Sequence, residues 1–325
     1  MSRYITQFFP GNPTFTEKDI TDLKGKVFMV TGGNSGLGFE LVKMLYCKGA
    51  KVYMASRTQS KAEAAIKLIK SEATSTPHPG QVKFIQLDLS DLATVKRSAE
   101  DFAAQEDHLD ILWNNAGVGM VKDNALSKQG HGQQMGTNCY GPFLLTQLLT
   151  PKLQAAAKLA PKNSVRVIWT SSIIVDTSAP KGGVNTASLA NPSTDQAYYY
   201  AVSKAGNWLL ASEFARRYGN DGIVSVTQNP GQLRTSIWDG APKVVRKIMG
   251  LVLYSALYGA YTALWCGISS EITVADGGRY AIPWGRWHPA PRKDILASLK
   301  SDEEGGTGEA AKFWDWCEEK TSKYA

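Results

Sequence analysis

The sequence predicts an α/β protein: a doubly wound parallel sheet with helices on both faces, a three-layer sandwich. Three observations carry that expectation. Short apolar runs alternate with amphipathic stretches along most of the 325 residues, the pattern that builds strand–helix–strand units. A glycine-dense turn, Gly32-Gly33-Asn34-Ser35-Gly36-Leu37-Gly38, follows the first apolar run and opens a helical pattern. No internal repeat, low-complexity block or composition shift marks a second unit, so residues 1–325 are read as a single domain.

Taken in order, residues 1–24 are expected to form an extended arm, polar and broken by Pro10, Gly11 and Pro13. It matches neither a secretory signal nor a usual transit peptide. Strands are expected at 27–31, 51–55, 82–86, 111–113, 165–170 and 224–228, where apolar and β-branched residues run for three to six positions. Crossover helices are expected at 37–47, 60–73, 92–104, 131–159 and 197–218. Leu37, Leu41, Val42 and Leu45, for example, share one helical face. Two segments, 173–196 and 231–250, interrupt the rhythm. Each follows a strand, so each should overhang the end of the sheet where ligands bind, with 231–270 covering the substrate. Residues 248–268 carry no charge over 21 positions and are long enough to span a membrane. Gly250, Ser255, Gly259, Thr262, Gly267 and three tyrosines dilute them, which favours a buried pair of helices over the pocket, with peripheral membrane contact left open. A last strand is expected at 278–282. The tail, 283–325, carries an amphipathic helix at 309–320 whose Phe313, Trp314 and Trp316 read as core or dimer packing.

Composition narrows the function. Hydrophobic residues at 43% and charged residues at 20% describe an ordinary globular chain with a substantial core. The net charge of +7 is scattered, with no basic run longer than Arg216-Arg217, so nucleic acid is excluded in favour of a phosphorylated cofactor or acidic substrate. Cys47, Cys139, Cys266 and Cys317 have neither disulfide nor metal-ligand spacing. A reducing, cytoplasmic compartment and no metal follow as expectations.

Several short motifs bear chemistry. In the glycine turn, Gly32 allows a tight bend, Gly36 removes a side chain where a pyrophosphate must approach, and Gly38 lets the helix pack closely. The free N–H groups at that helix start then face the anion. Tyr200 and Lys204 lie four apart on a helical pattern and point into one space. A phenol of pKa about 10 is a weak acid near neutrality, and a nearby ammonium is expected to lower it. Thr170-Ser171-Ser172 ends an apolar run, where a hydroxyl can hold a carbonyl oxygen. Asn114-Asn115-Ala116-Gly117 ends another, and Asn138 sits inside a helical stretch. Asp88 follows the third strand and can equally cap the helix that starts near Asp91.

Each motif is weak alone, but together and in this order they resemble the short-chain dehydrogenase/reductase family, over about residues 26–282. The likeness is greatest to its retinol-dehydrogenase-like and fungal biosynthetic-cluster members, which share a long segment between serine and tyrosine, here from Ser172 to Tyr200. The resemblance implies a Rossmann-like fold and assigns roles. Tyr200 would be the general acid or base; Lys204 would tune it and bind the nicotinamide ribose. Ser172, with Ser171 as the alternative, would orient the carbonyl, and Asn138 would hold a water in a proton relay. Gly32, Asn34, Ser35, Gly36, Leu37 and Gly38 would hold the pyrophosphate. Asp88 with Leu89 would read the adenine, and Asn115, Ala116 and Gly117 would lie along the cofactor. Pro230, Gly231, Leu233 and Thr235 would contact the nicotinamide amide and phosphates.

The second strand ends at Ser56-Arg57 with Lys61 one turn on, so no carboxylate repels a 2′-phosphate and two cations can pair with it. NADP(H) is the expected cofactor, and carbonyl reduction of a bulky apolar small molecule the expected reaction. Net non-redox chemistry on the same cofactor, or a non-enzymatic cofactor-sensing role, are the rivals. Family members commonly pair through helices equivalent to 131–159 and 197–218, so a homodimer or homotetramer is expected.

Overall fold

A computed structural model describes residues 4–119, 121, 125–190, 195–234 and 253–325. All seven expected strands are present within two residues of their expected limits: β1 (Val27–Thr31), β2 (Lys51–Ser56), β3 (Gln81–Gln86), β4 (Ile111–Asn114), β5 (Val165–Thr170), β6 (Ile223–Gln228) and β7 (Tyr280–Ile282). An eighth, β8 (Arg286–Trp287), pairs antiparallel with β7 at the edge. Two residues carry no periodicity, so nothing in the sequence announced it. The helices are α1 (Gly36–Cys47), α2 (Gln59–Glu72), α3 (Leu92–Ala103), α4 (Gly141–Leu159), α5 (Gln196–Tyr218), α6 (Ala256–Ile268), α7 (Lys293–Leu299) and α8 (Glu309–Thr321).

The strands form one sheet in the order β3-β2-β1-β4-β5-β6-β7-β8. The chain winds outward from β1 to β3, then returns to lay β4 on the other side of β1. The strand order therefore reverses between β1 and β4, and a crevice for ligand opens at their carboxyl ends. Alternation along the strands feeds two cores. Val27 and Met29 join the side covered by α3, α4, α5 and α8, while Phe28 and Val30 join the side covered by α1, α2 and α6.

Four expectations need correction. The stretch 131–159 is not one regular helix: a π-helical turn, Gly136–Tyr140, precedes α4 and contains Asn138. The uncharged stretch 248–268 holds, among its described residues, one helix buried against α1 instead of a pair. Gly259 on α6 lets that helix close on Leu37, Leu233 and the Pro230 carbonyl. Trp113 Nε1 donates to Ala263 O at 2.9 Å, and the buried Arg166 guanidinium donates to Cys266 O at 2.9 Å and Ser269 O at 2.7 Å. α6 is thus a core crossover helix on the α1 side, its uncharged surface explained by burial. No helix among the described residues is long and apolar enough to cross a membrane. The arm is not extended throughout, because Ile5–Phe8 is a short helix with Gln7 buried.

The fourth correction concerns the tail. α8 packs against α5 and α4: Phe313 lies against Gly206, and the Trp314 ring sits 4.9 Å from Phe143 and 6.3 Å from Phe214. From residue 201 to residue 211 every position of α5 is buried within the single chain. α8 therefore covers part of the α5 and α4 surface that the resemblance assigns to a partner subunit. Phe313 and Trp314 are core. Replacing Trp314 by Ala should cost about 3–5 kcal/mol, measured by urea unfolding. An unchanged midpoint would show that the tail lies outside the cooperative core.

Candidate active site

The crevice is built by contacts between the ends of β1 and β4. The Thr31 hydroxyl accepts from the N–H groups of Asn115 and Ala116, both at 2.9 Å, and donates to Trp113 O at 3.2 Å. Asn115 Nδ2 donates to Thr31 O at 2.8 Å. Asn115 and Thr31 therefore lock the two strand ends together. Gly32 adopts φ +68°, a left-handed conformation that suits glycine. A Cβ on Gly38 would strike the Gly32 carbonyl and come within 2.8 Å of Asn115 Nδ2, so α1 closes on the turn itself.

The residues present fit a dinucleotide phosphate. α1 spans twelve residues, and its N-cap, Ser35, makes no side-chain cap. The first N–H groups of that helix thus lack intrahelical or capping partners and face the crevice end, beside Asn34 and Gly36. Leu37 is buried in the core, so its contribution to an anion is its backbone. At the end of β2 the Ser56 Oγ is buried without a hydrogen-bond partner, next to the exposed Arg57 and near the exposed Lys61. Asp88 does not cap α3: its Oδ1 accepts from Ser90 N at 2.9 Å and Ser90 Oγ at 2.7 Å, whereas Asp91 caps the helix through Ala93 N at 3.1 Å. Leu89 is buried where Gly141 lets α4 approach its backbone.

A second group of residues meets at the carboxyl ends of β4 and β5. Lys204 is 5% exposed. Its Nζ donates to Thr170 O at 3.1 Å and lies 5.8 Å from the centroid of the Tyr200 ring. A Cβ on Gly117 would sit 3.1 Å from that Nζ and 3.0 Å from Asn138 Oδ1, so only glycine leaves the ammonium its place. Asn138 is fixed by the π-helical turn. Its Oδ1 accepts from Val118 N at 2.8 Å, and its Nδ2 donates to Val118 O and Ser203 Oγ, both at 2.9 Å. Both amide hydrogens are thus engaged by protein groups.

The two serines separate cleanly. Ser171 is buried with its Oγ donating to Lys204 O at 2.7 Å, a structural bond. Ser172 lies beside the Tyr200 hydroxyl, close enough to lower its pKa. Tyr280, absent from the sequence reading, donates its hydroxyl to Ser172 O at 2.8 Å. Of the three consecutive tyrosines, Tyr199 packs against Gly132 and Tyr198 is exposed, which leaves Tyr200 in the site. Burial pushes the Tyr200 phenol up to about 12, against the lowering effect of Ser172. The net effect is thus opposite to the lowering expected from the sequence, with desolvation the largest cause. Burial also drops Lys204 from 10.5 to about 8. Pro230, Gly231 and Leu233 line up after β6, with Leu233 bridged to Tyr254. Thr235 lies outside the described residues.

Fold and site together define an oxidoreductase of the short-chain dehydrogenase/reductase family, and the chain belongs to it: the short chain dehydrogenase family pattern matches residues 26–243. A protein of Pestalotiopsis fici named short-chain dehydrogenase/reductase iacJ is 48% identical, the match covering 98% of this chain and 97% of that one. Among solved structures, a putative uncharacterized protein from Mycobacterium paratuberculosis matches with a TM-score of 0.64 at 28% identity over 95% of this chain and 97% of its own. The NADPH-bound carbonyl reductase from chicken fatty liver shares the fold, with a TM-score of 0.58 at 22% identity over 79% of this chain and 96% of its own.

The Lys204 shift has a consequence for stability. Below pH 8 the lysine is charged in both folded and unfolded chains, and the cost of burying it is fully present. As pH rises from 8 to 10.5 the folded chain loses the proton first and the cost disappears. Lys204→Met should therefore stabilise the fold at pH 7 by up to about 3 kcal/mol, a gain that shrinks toward pH 10.5 in thermal unfolding. Thr170 O keeps Asn207 Nδ2 as a partner at 3.1 Å. A gain that is absent, or independent of pH, would contradict the assignment.

Proposed function

We propose that the protein is an NADPH-dependent reductase of a carbonyl on a bulky, mostly apolar small molecule, acting in the cytoplasm. The observation that carries this reading is the half-buried Tyr200 with its hydroxyl next to Ser172 and beside a buried ammonium, at the sheet end where the glycine turn opens. When bound, NADPH supplies the hydride. Ser172 orients the substrate carbonyl through its Oγ. Tyr200, held protonated at neutral pH by burial, donates its phenolic proton to the carbonyl oxygen. The Lys204 ammonium stabilises the resulting phenolate and hydrogen-bonds the nicotinamide ribose. Gly117 keeps the space around it, and Asn138 positions a water by which the proton is replaced.

The cofactor assignment is supported by Ser56, Arg57 and Lys61 at the end of β2 and by the uncapped start of α1. The structural likeness to a carbonyl reductase whose crystals hold NADPH supports it in the same direction. Asp88 with Leu89 takes the adenine end, and Pro230, Gly231, Leu233 and Thr235 take the nicotinamide end. A phenol held as the acid suits reduction better than the reverse reaction.

Two measurements test the reading. Tyr200→Phe should lower carbonyl turnover by about a hundredfold to ten-thousandfold while NADPH still binds. Retained turnover would remove Tyr200 as the acid. Arg57→Ala should weaken NADPH binding by about tenfold or more, the worth of a charge-assisted hydrogen bond, and leave NADH binding nearly unchanged in a fluorescence titration. Equal losses for both cofactors would overturn the 2′-phosphate assignment.

A further inference from the structure

The N-terminal arm reaches a buried polar network that no step above uses. Gln7 is 1% exposed, as is Asn229, while Asp176 and His288 are each 7% exposed. These four residues come from four separate places: the arm, the turn after Ser172, the end of β6, and the segment after β8. Gln7 Nε2 donates to Asp176 Oδ2 at 2.8 Å, and Asn229 Nδ2 donates to Gln7 Oε1 at 2.8 Å. His288 Nε2 lies 2.8 Å from the same Asp176 Oδ2.

Gln7 Nε2 also lies 3.2 Å from His288 Nε2, so the directions follow from the other partners of each group. His288 Nδ1 accepts from Ala290 N at 3.1 Å, so the ring proton sits on Nε2 and points at the carboxylate. The carboxylate accepts from both His288 and Gln7. The Gln7 amide is thereby oriented with its nitrogen toward Asp176 and its oxygen toward Asn229. Asn229 in turn can present only its Oδ1 to the Gly231 N–H, which it accepts at 3.0 Å. That last bond closes a turn over Pro230 and holds Gly231 at φ +86°. The backbone of Asn229 is pinned as well, its N–H donating to Ala281 O at 2.8 Å.

We propose that Gln7 is a positioning residue: from the arm, through Asn229, it sets the geometry of the turn at residues 229–231 that receives the nicotinamide end of the cofactor. The proposal rests on the cofactor reading given above. Asp176, four residues beyond Ser172, is the anchor that keeps the Gln7 amide from flipping. A structural role alone would make Gln7 matter for stability and nothing else.

The test is Gln7→Leu, assayed well below its own unfolding temperature, with Asn229→Ala and the double variant beside it. Gln7→Leu should raise the NADPH dissociation constant by about tenfold, the effect of a lost buried hydrogen-bond partner. The double variant should bind no more weakly than Asn229→Ala alone. Binding within twofold of wild type, or losses that multiply in the double variant, would overturn the proposal. Hydrogen exchange on the wild-type chain needs no variant to fold. NADPH should slow exchange at residues 5–8 together with 229–231, and protection at 229–231 without any at 5–8 would equally overturn it. A wild-type chain that binds no NADPH would sink the cofactor reading and this proposal together, whereas normal binding with an indifferent Gln7→Leu sinks only this one.

Discussion

A lysine ammonium held inside the protein is the constraint on which the site depends. Lys204 cannot be solvated by bulk water at 5% exposure, so its charge must be met by fixed groups. The Thr170 carbonyl at the end of β5 provides one, and Gly117 and the Asn138 amide leave just enough room for it. The π-helical turn before α4 makes sense in this light, because it sets Asn138 against Val118 and Ser203 instead of continuing a regular helical surface. The buried lysine lowers stability, and the fold tolerates it because two large cores flank the sheet.

A second constraint operates at the strand reversal. One hydroxyl, that of Thr31, accepts two backbone N–H groups from the end of β4 and donates to a carbonyl there. The clamp holds the two strand ends at fixed separation, and the glycine turn with the start of α1 is built on it. Because Gly38 closes on the Gly32 carbonyl, the helix start that faces an anion is fixed relative to the same clamp. The glycine turn, the start of α1 and the ends of β1 and β4 therefore belong to one frame.

The chain ends complete what the central sheet leaves open. α8 seals α5 and α4 with Phe313 and Trp314, surface that would otherwise have to be buried by another molecule. The arm inserts Gln7 between Asp176, His288 and Asn229, linking the turn after the serine to the turn after β6. α6 carries its uncharged length into the core beneath α1, where Trp113 and Arg166 cap or bond its carbonyls. Low charge in that segment reflects burial in protein, and the same composition in isolation could not have distinguished a core helix from a membrane span.

Local pattern determined the strands, most helices, the glycine turn and the Tyr200–Lys204 pair. Each of these rests on short-range spacing: period two along strands, four residues along a helix face, and glycine where the backbone bends back. The choice of Ser172 over Ser171 was open in the sequence, since both hydroxyls end the same strand. The fold separates them: Ser172 lies beside the Tyr200 hydroxyl, whereas Ser171 turns back to the Lys204 carbonyl. The raised pKa of Tyr200 has a related cause, because the spacing shows the nearby cation but not the desolvation that sets the shift. Gln7, His288 and Tyr280 gave no signal at all. Their partners lie more than a hundred residues away, at 169 positions for Gln7 with Asp176 and 108 for Tyr280 with Ser172. Only folding brings such groups together, and a hydrogen bond between them leaves no periodicity in a single sequence.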